Sequence, residues 1–466
     1  MINNNPCNNT KTDSNIITNQ KLITSDKSKY NLQKIVDNKS KQHKKDVITF
    51  GCRLNIYESE IIKKHLNEAN LSTNVAVFNS CSVTNEAEKQ VRQSIRKYKK
   101  DNPNSKIIVT GCAAQKDPKL FSSMQEVNYI IGNEEKLHLN SYENIDLKPK
   151  VLVNDIMSIK ETANHLITGF DGKSRAFIQV QNGCNHRCTF CIIPYGRGNS
   201  RSTPLGVIVN QINILSKQGY EEVILTGVDA TSYGEDLPGK PTFSQMIRRI
   251  LNLTDIKRLR LSSIDVAEID DDLINLIKDD PRLMPHLHIS LQAGDDMILK
   301  RMKRRHTRTQ VIDFCHKIRN IRADIAFGAD VIAGFPTETE EMFMNTMELI
   351  KETKIEYMHV FPYSSKEGTA ASRMPQLPIH IRKNRAKILR DIGENNKINF
   401  VKNNFNKIHN VLIEKDYFGH TENFINVKID NQQYINNQNH SSIIRTKFNE
   451  IAYNNKGMFS HVNAPP

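Results

Sequence analysis

Three short apolar runs, DVITFG (46–51), NVAVFNS (74–80) and SKIIVTG (105–111), constrain the fold more than any other feature of the chain. Each is rich in β-branched residues, so each reads as a strand buried on both faces, the mark of a parallel sheet. Helix-length stretches, YESEIIKKHLNEAN and NEAEKQVRQSIRKYKK, follow the first two. A βαβαβ order implies an open parallel sheet covered by helices. A cysteine stands directly after each run: Cys52, Cys81 and Cys112, spaced by 29 and 31 residues. All carboxyl ends of a parallel sheet lie on one edge, where ligands bind. Three thiols on three loops are therefore predicted to converge on one point, a donor set that suits an iron–sulfur cluster with one open iron. A lone cysteine is more often a small buried hydrophobe, and that reading fits Cys315, set among apolar residues in TQVIDFCHKI.

The alternation resumes with longer units from about residue 175. RAFIQVQN, EEVILTGV, RLRLSSI, HLHISLQ, IAFGADVIAG and YMHVFPYS are candidate strands separated by helix-length segments. Six such units predict a partial or full (βα) barrel. From residue 402 the pattern changes again, and VLIEK, NFINVKI and SSIIRTKF read as strands of a small all-β module. The expected fold class is α/β. A small parallel-sheet domain spans 46–145, a linker 146–170, a barrel domain 171–401 and a β module 402–466.

Residues 1–45 are rich in Asn, Lys, Ser and Thr and read as a disordered extension, in which Cys7 is inert. They lack the apolar stretch of a signal peptide. They contain no Arg and include Asp13, Asp26 and Asp37, which argues against an organellar transit sequence. No run approaches the roughly 18 apolar residues of a membrane span. The cytoplasm is the expected compartment. Thiols stay reduced there, so clustered cysteines read as metal ligands or catalysts. The net charge of +14 and pI of about 9.2 fit a polyanionic partner, nucleic acid being the common one.

Three of the eight cysteines fall in NGCNHRCTFCIIPYGRG, as Cys184-x3-Cys188-x2-Cys191. The run follows the first barrel strand, at the end where (βα) barrels place their chemistry. Three thiolates on one loop can ligate three irons of a cubane cluster and leave the fourth open for a chelating small molecule. S-adenosylmethionine fits through its amino and carboxylate groups, and one electron from the cluster would cleave it to a radical. The alternative is a zinc knuckle that borrows His186 or a distant ligand. Zinc usually takes its fourth ligand from a second pair, and no such pair follows Cys191.

This motif, with Phe190 before its last cysteine, resembles the signature of the radical S-adenosylmethionine superfamily. Ile193-Pro194 and Arg197-Gly198 after it resemble the methylthiotransferase branch. The first domain carries matching boxes in Gly51-Cys52-Arg53-Leu54-Asn55 with Tyr57-Glu58-Ser59-Glu60, in Asn79-Ser80-Cys81-Ser82-Val83-Thr84-Asn85, and in Thr110-Gly111-Cys112-Ala113. GCRLN…YESE and CSVTNEAEKQVRQ are most similar to the enzymes that modify threonylcarbamoyladenosine in tRNA. The branch acting on isopentenyladenosine usually has Ile-Arg where Val83-Thr84 stand, and the branch acting on a ribosomal-protein aspartate also differs there.

The resemblance implies two 4Fe-4S clusters, one on Cys52, Cys81 and Cys112 and one on Cys184, Cys188 and Cys191. It implies methylation of a sulfur at the first by one S-adenosylmethionine. Cleavage of another at the second gives a 5′-deoxyadenosyl radical, and a methylthio group then replaces the hydrogen on carbon 2 of the adenine at position 37. A radical suits that C–H bond, which is neither acidic nor readily displaced. The implied partners are the tRNA anticodon loop and an electron donor of the flavodoxin or ferredoxin type, with no membrane. Rival readings are the same chemistry on isopentenyladenosine or on a ribosomal-protein aspartate, and a non-catalytic iron–sulfur or zinc protein that binds nucleic acid.

The resemblance also marks cofactor positions. Gly227 and Asp229 end the second barrel strand, where the superfamily often contacts the S-adenosylmethionine amino group. Gly334 and Glu338 follow the late-strand pattern near the adenine, with Asp330 in place of the usual first Gly. Ser290-Leu291-Gln292, followed by Ala293, is assigned to the pocket wall. KRMKRRHTR (300–308) is the densest basic run, and Lys300, Arg301, Lys303, Arg304 and Arg305 are candidates for RNA phosphate contact. The C-terminal module resembles the RNA-binding domain that ends such enzymes, over VLIEKDYFGHTENFINVKI.

Overall fold

The structure, a computed structural model, describes residues 43–69, 71–161, 166–167, 169–170, 173–414, 417–429, 442–454 and 457–462. The predicted extension lies, but for its last residues, outside them, and so does Cys7.

The first sheet holds β1 (Lys45–Thr49), β2 (Val75–Ser80), β3 (Lys106–Gly111), β4 (Tyr129–Ile131) and β5 (Val151–Leu152), all parallel and in chain order. β2 is buried along its whole length, as an apolar central strand requires. The covering helices are α1 (Arg53–Glu68), α2 (Asn85–Asp101), α3 (Cys112–Lys116) and α4 (Pro118–Ser122). α2 begins where Thr84 caps the Ala87 N–H at 3.1 Å and Glu86 and Glu88 face the helix's positive end. β5 lies within 146–170, expected to be a linker. Its two residues are too short a run to read as a strand, yet they complete the sheet edge.

The second region opens with β6 (Arg175–Gln179) and β7 (Gln181–Asn182). There follow α5 (Ile193–Arg197), β8 (Arg201–Ser202), α6 (Leu205–Lys217), β9 (Glu222–Thr226), α7 (Phe243–Leu253), β10 (Arg258–Leu261), β11 (Ser263–Ile264) and α8 (Asp271–Asp279). It closes with β12 (His286–Gln292), α9 (Asp296–Met302), α10 (Arg308–Ile321), β13 (Ala326–Ala333), α11 (Glu340–Thr353), β14 (Tyr357–Pro362) and α12 (Ile379–Asn403). β6, β9 and β10 pair in parallel, β11 carries the wall on from β10, and β11, β12, β13 and β14 pair in parallel. The wall is a six-unit (βα) barrel, and among the described residues no pairing joins β6 to β14. α1 of the first domain packs at β6, with Tyr57 and Ile61 in the same apolar cluster as Ile178 and Val180.

A six-stranded sheet ends the chain: β15 (His409–Ile413), β16 (Phe418–His420), β17 (Asn426–Ile429), β18 (Ile443–Thr446), β19 (Glu450–Asn454) and β20 (Gly457–Val462), in the order β18-β15-β16-β17-β20-β19. It covers the amino-terminal end of the barrel. Arg175 at the start of β6 pairs with Glu414 at 2.8 Å, Arg260 donates to the Glu422 carbonyl at 3.0 Å, and both guanidiniums lie over the Phe424 ring. With that end closed, the carboxyl end is left for chemistry. No helix among the described residues is long and apolar enough to cross a membrane.

Candidate active site

The three lone cysteines of the first domain meet at the carboxyl edge of its sheet. Cys52 precedes α1, Cys81 follows β2 and Cys112 opens α3. A Cβ at Gly51 would stand 2.9 Å from the Cys81 Sγ, so Cys81 lies over the turn that leads into Cys52. Gly111 has φ +93°, and a Cβ there would meet the Ser80 carbonyl oxygen at 2.3 Å. That glycine brings the Cys112 loop against the Cys81 loop. Burial pushes the Cys81 thiol up to about 11, and Cys112 and Cys52 add to the shift. Asn133 reaches the Cys112 Sγ with its Nδ2 at 3.7 Å.

Cys184, Cys188 and Cys191 lie on the loop after β7, at the carboxyl end of the barrel. The Cys191 N–H donates to the Cys188 carbonyl at 3.0 Å, and the His186 N–H points at the Cys184 Sγ at 3.4 Å. The loop is tied down by Thr189, whose hydroxyl donates to the Arg301 carbonyl at 2.8 Å and whose carbonyl accepts from the Ala371 N–H at 2.8 Å. Burial pushes the Cys191 thiol up to about 12, with Cys188 adding, and drives Cys184 up in the same way, with Asp229 adding. Thiols crowded like this stay protonated until a cation takes their charge, so metal uptake here must release protons.

The two triads are neighbours. A Cβ at Gly196, five residues after Cys191, would stand 3.2 Å from the Cys112 Cβ. Next to it, the buried Arg197 donates to both Glu58 oxygens, at 2.8 and 3.0 Å, and to the Asn182 Oδ1 at 3.1 Å. Lys136, also buried, donates to the Glu58 Oε2 at 2.7 Å and the Asn133 Oδ1 at 2.6 Å. Burial works against ionised Glu58, but these two cations outweigh it and hold the carboxyl below its ordinary range. Arg197 likewise keeps its charge against burial because Cys112, Glu58 and Cys52 surround it.

The other predicted positions separate into groups. Asp229 sits beside the second triad, its Oδ2 3.6 Å from the Cys184 Sγ and 2.6 Å from the His186 Nε2. His186 therefore turns its ring to the β9 loop. Gly227 lies in the same turn, fixed by Gln181, whose Oε1 accepts from the Val228 and Asp229 N–H groups at 3.0 and 2.9 Å. Gly334 and Glu338 form the turn after β13. The Glu338 Oε2 is shared by the Gly334 N–H at 2.9 Å and Arg385 at 2.7 Å, which makes it a brace for that turn.

The basic run does not present one charged face. Arg301 donates to the Thr337 Oγ1 at 2.8 Å. Arg304 turns inward to Asp265 at 2.8 Å, the Ser290 carbonyl at 2.9 Å and the Cys188 Sγ at 3.7 Å. Arg305 pairs with Glu268 and His186. Lys300 and Lys303 are exposed. α9 ends inside this run, with Lys303 in the left-handed region at φ +58°. Its side chains therefore diverge instead of following one helical stripe. Sequence reasoning passed over Lys136, Asn133 and the inward role of Arg304, because no local spacing marks residues that only tertiary packing brings to the thiols.

Each triad offers three thiols and no fourth protein donor of its kind among the described residues, which fits a cluster with one iron open to an outside ligand. Buried polar atoms of the barrel wall without a partner, the Gln179 Oε1 and Ser262 Oγ, fit a bound polar molecule there.

Residues 178–350 match the radical SAM superfamily, and residues 44–132 match a family described as Uncharacterized protein family UPF0004. The chain is 62% identical over 388 residues to the threonylcarbamoyladenosine tRNA methylthiotransferase MtaB of Rickettsia prowazekii (strain Madrid E), covering 83% of this chain and 91% of that protein. It is 36% identical over 392 residues to the protein of the same name from Aquifex aeolicus (strain VF5), covering 82% and 95%. Among solved structures, the radical S-adenosylmethionine methyltransferase TsrM from Kitasatospora setae shares its fold, with a TM-score of 0.50 and 13% identity over 70% of this chain and 76% of that one. The chain belongs to the threonylcarbamoyladenosine tRNA methylthiotransferase family of radical S-adenosylmethionine enzymes.

Proposed function

We propose that Cys52, Cys81 and Cys112 hold one 4Fe-4S cluster and Cys184, Cys188 and Cys191 a second, and that S-adenosylmethionine binds beside the second, along Gly227, Asp229 and Gly334. The chemistry such groups supply when bound is one-electron cleavage of S-adenosylmethionine and delivery of a methylthio sulfur to carbon 2 of the adenine. The observation that carries the reading is the contact of the two triads through Gly196 and Arg197. A sulfur held at one triad and a radical generated at the other can act on the same carbon only if the two are close.

The chain's own residues set that geometry. The buried Glu58, Arg197 and Lys136 fix the Cys52 helix against the Cys191 loop. Arg304 places a positive charge 3.7 Å from the Cys188 Sγ. Asp229, braced by the Ser232 hydroxyl at 2.8 Å, is in place to receive an ammonium group. The substrate is the modified adenosine at position 37 of a tRNA anticodon loop, with Lys300 and Lys303 on its phosphates. A flavodoxin- or ferredoxin-type protein supplies the electron, and the cytoplasm, where tRNA and reduced thiols coexist, is the compartment.

Mass spectrometry of nucleosides from total tRNA tests this, in cells with the intact protein, without it, and with Cys188→Ala or Cys112→Ala. The expected result is a methylthio mass on threonylcarbamoyladenosine with the intact protein alone. The mass on isopentenyladenosine would overturn the substrate, and the mass persisting in either cysteine variant would overturn the site.

A further inference from the structure

Inside the barrel, β12, β13 and β14 bring together three side chains that none of the roles above uses. Leu287, Ile289 and Leu291 of β12, Phe327, Ala329, Val331 and Ala333 of β13, and Val360 of β14 all face the apolar layer shared with the outer helices. Strand alternation therefore turns His288, Asp330 and His359 to the lumen. The Asp330 Oδ1 lies 3.1 Å from the His288 Nε2 and 3.2 Å from the His359 Nδ1, and the two imidazole rings are 4.9 Å apart. Asp330 and His359 are direct cross-strand partners, whereas the partner of His288 is Gly328. A Cβ at 328 would stand 2.5 Å from the His288 Nδ1, so the glycine is what lets His288 lean across to Asp330. Burial opposes ionisation of Asp330, but the two histidines outweigh it and hold the carboxyl well below the ordinary range.

The strand that carries His288 runs on toward the second triad. His288 is two residues before Ser290, whose carbonyl holds the guanidinium that reaches Cys188. From the other side comes Arg53, the residue after Cys52. The charges acting on Arg53 are Arg175, Arg260, Glu222 and Asp330, which stand on four strands of the barrel. Among the described residues the Arg53 side chain makes no hydrogen bond or ion pair. A guanidinium without a hydrogen-bond partner, within electrostatic reach of a carboxylate bridged by two imidazoles, makes a polar receptor. It is ill suited to a metal cation. Two guanidiniums act on Arg53 at this site, and the Asp330 oxygen already accepts from both imidazoles.

We propose that Arg53, His288, Asp330 and His359 form the pocket that receives the threonylcarbamoyl group of the substrate adenosine. That group carries a carboxylate, a hydroxyl and a ureido linkage. Arg53 pairs with the carboxylate in two-pronged fashion. Asp330 and the solvent-facing His359 take the hydroxyl and the ureido N–H. An adenosine without the group leaves the Arg53 guanidinium without a counter-charge, and this is the discrimination. The assignment rests on the threonylcarbamoyladenosine reading of the substrate and adds to it the residues that select it.

The test is binding of the cluster-loaded enzyme to anticodon stem-loop RNAs that carry threonylcarbamoyladenosine, its carboxylate methyl ester, or plain adenosine. Fluorescence anisotropy would be run on wild type, His359→Leu and Arg53→Met, with iron content measured to confirm that the clusters are retained. Wild type is expected to favour the acid over the other two RNAs by about tenfold or more, as expected for a charged hydrogen bond. Each variant is expected to lose that preference and to keep its affinity for the plain RNA. Variants that retain the preference overturn the pocket, and so does equal binding of acid and plain RNA by wild type. The substrate reading falls separately, if the wild-type enzyme also adds no methylthio group to the modified RNA.

Discussion

The Arg197 guanidinium grips Glu58 with Nη1–Oε1 at 2.8 Å and Nη2–Oε2 at 3.0 Å, and so joins the loop of one thiol triad to the helix of the other. Both side chains are almost fully buried. Such a pair contributes little beyond what an apolar pair would, yet removing one partner strands a buried charge. Glu58 also serves Lys136, so its loss strands two.

Glu58→Gln is therefore expected to destabilise the protein by about 3–5 kcal/mol. It should also weaken iron retention at Cys52, Cys81 and Cys112 before it affects Cys184, Cys188 and Cys191, whose loop has its own anchors through Thr189. Thermal unfolding and iron content per chain check this. A variant with full iron and an unshifted melting temperature would show that the pair does not hold the triads together.

Gly111→Ala is expected to act through geometry alone. At φ +93° an alanine is strained, and its Cβ would meet the Ser80 carbonyl at 2.3 Å. The backbone must shift, at a cost of about 1–3 kcal/mol. The shift carries Cys112 with it, so iron at the first triad should fall while the second keeps its own. Electron paramagnetic resonance of the reduced protein separates the two clusters. Unchanged signals from both would refute the requirement for a close turn.

The sheet with its three terminal cysteines was legible because parallel order alone places every carboxyl end on one edge. The second triad was legible from local spacing. What joins the triads was not. Glu58 and Arg197 are 139 residues apart, and a buried pair leaves no periodic trace. The basic run misled for a related reason. Six charges in nine residues look like one surface, but α9 ends within them and Arg301 and Arg304 turn to internal acceptors. In the sequence Asp330 shows only as a departure from a pattern. Its link to His288 depends on the bare Gly328 next door, which no single strand reveals.

Lys300 and Lys303 remain free for phosphate once Arg301, Arg304 and Arg305 are accounted for. Lys300→Ala and Lys303→Ala should each weaken tRNA binding and reduce the slope of log affinity against log salt by about one. The effect should be the same for threonylcarbamoylated and plain RNA, since phosphate contacts carry no base information. Binding isotherms at several salt concentrations decide it, and an unaltered slope would remove both lysines from the interface.

Glu222 gives a pH dependence whose sign is fixed. It is fully buried, and its carboxylate meets Arg260 at 2.8 Å with Arg258 3.6 Å away. Burial disfavours the charge, but Arg260 outweighs it and lowers the carboxyl from 4.5 to about 2. A group whose folded pKa is depressed adds stability above its unfolded pKa and loses that contribution as pH falls through the folded value. The contribution of Glu222 is thus complete above pH 4.5 and fades between 4.5 and about 2. Glu222→Gln leaves Arg260 buried without its counter-charge and is expected to cost about 3–5 kcal/mol at neutral pH. The gap between wild type and variant should then shrink as the pH drops through that window. Denaturant unfolding of both proteins at neutral pH and at stepped acid pH measures it. A gap that stays constant down to pH 2 would mean that Glu222 does not titrate with folding, and that Arg260 is held by the Glu422 carbonyl and the Phe424 ring instead.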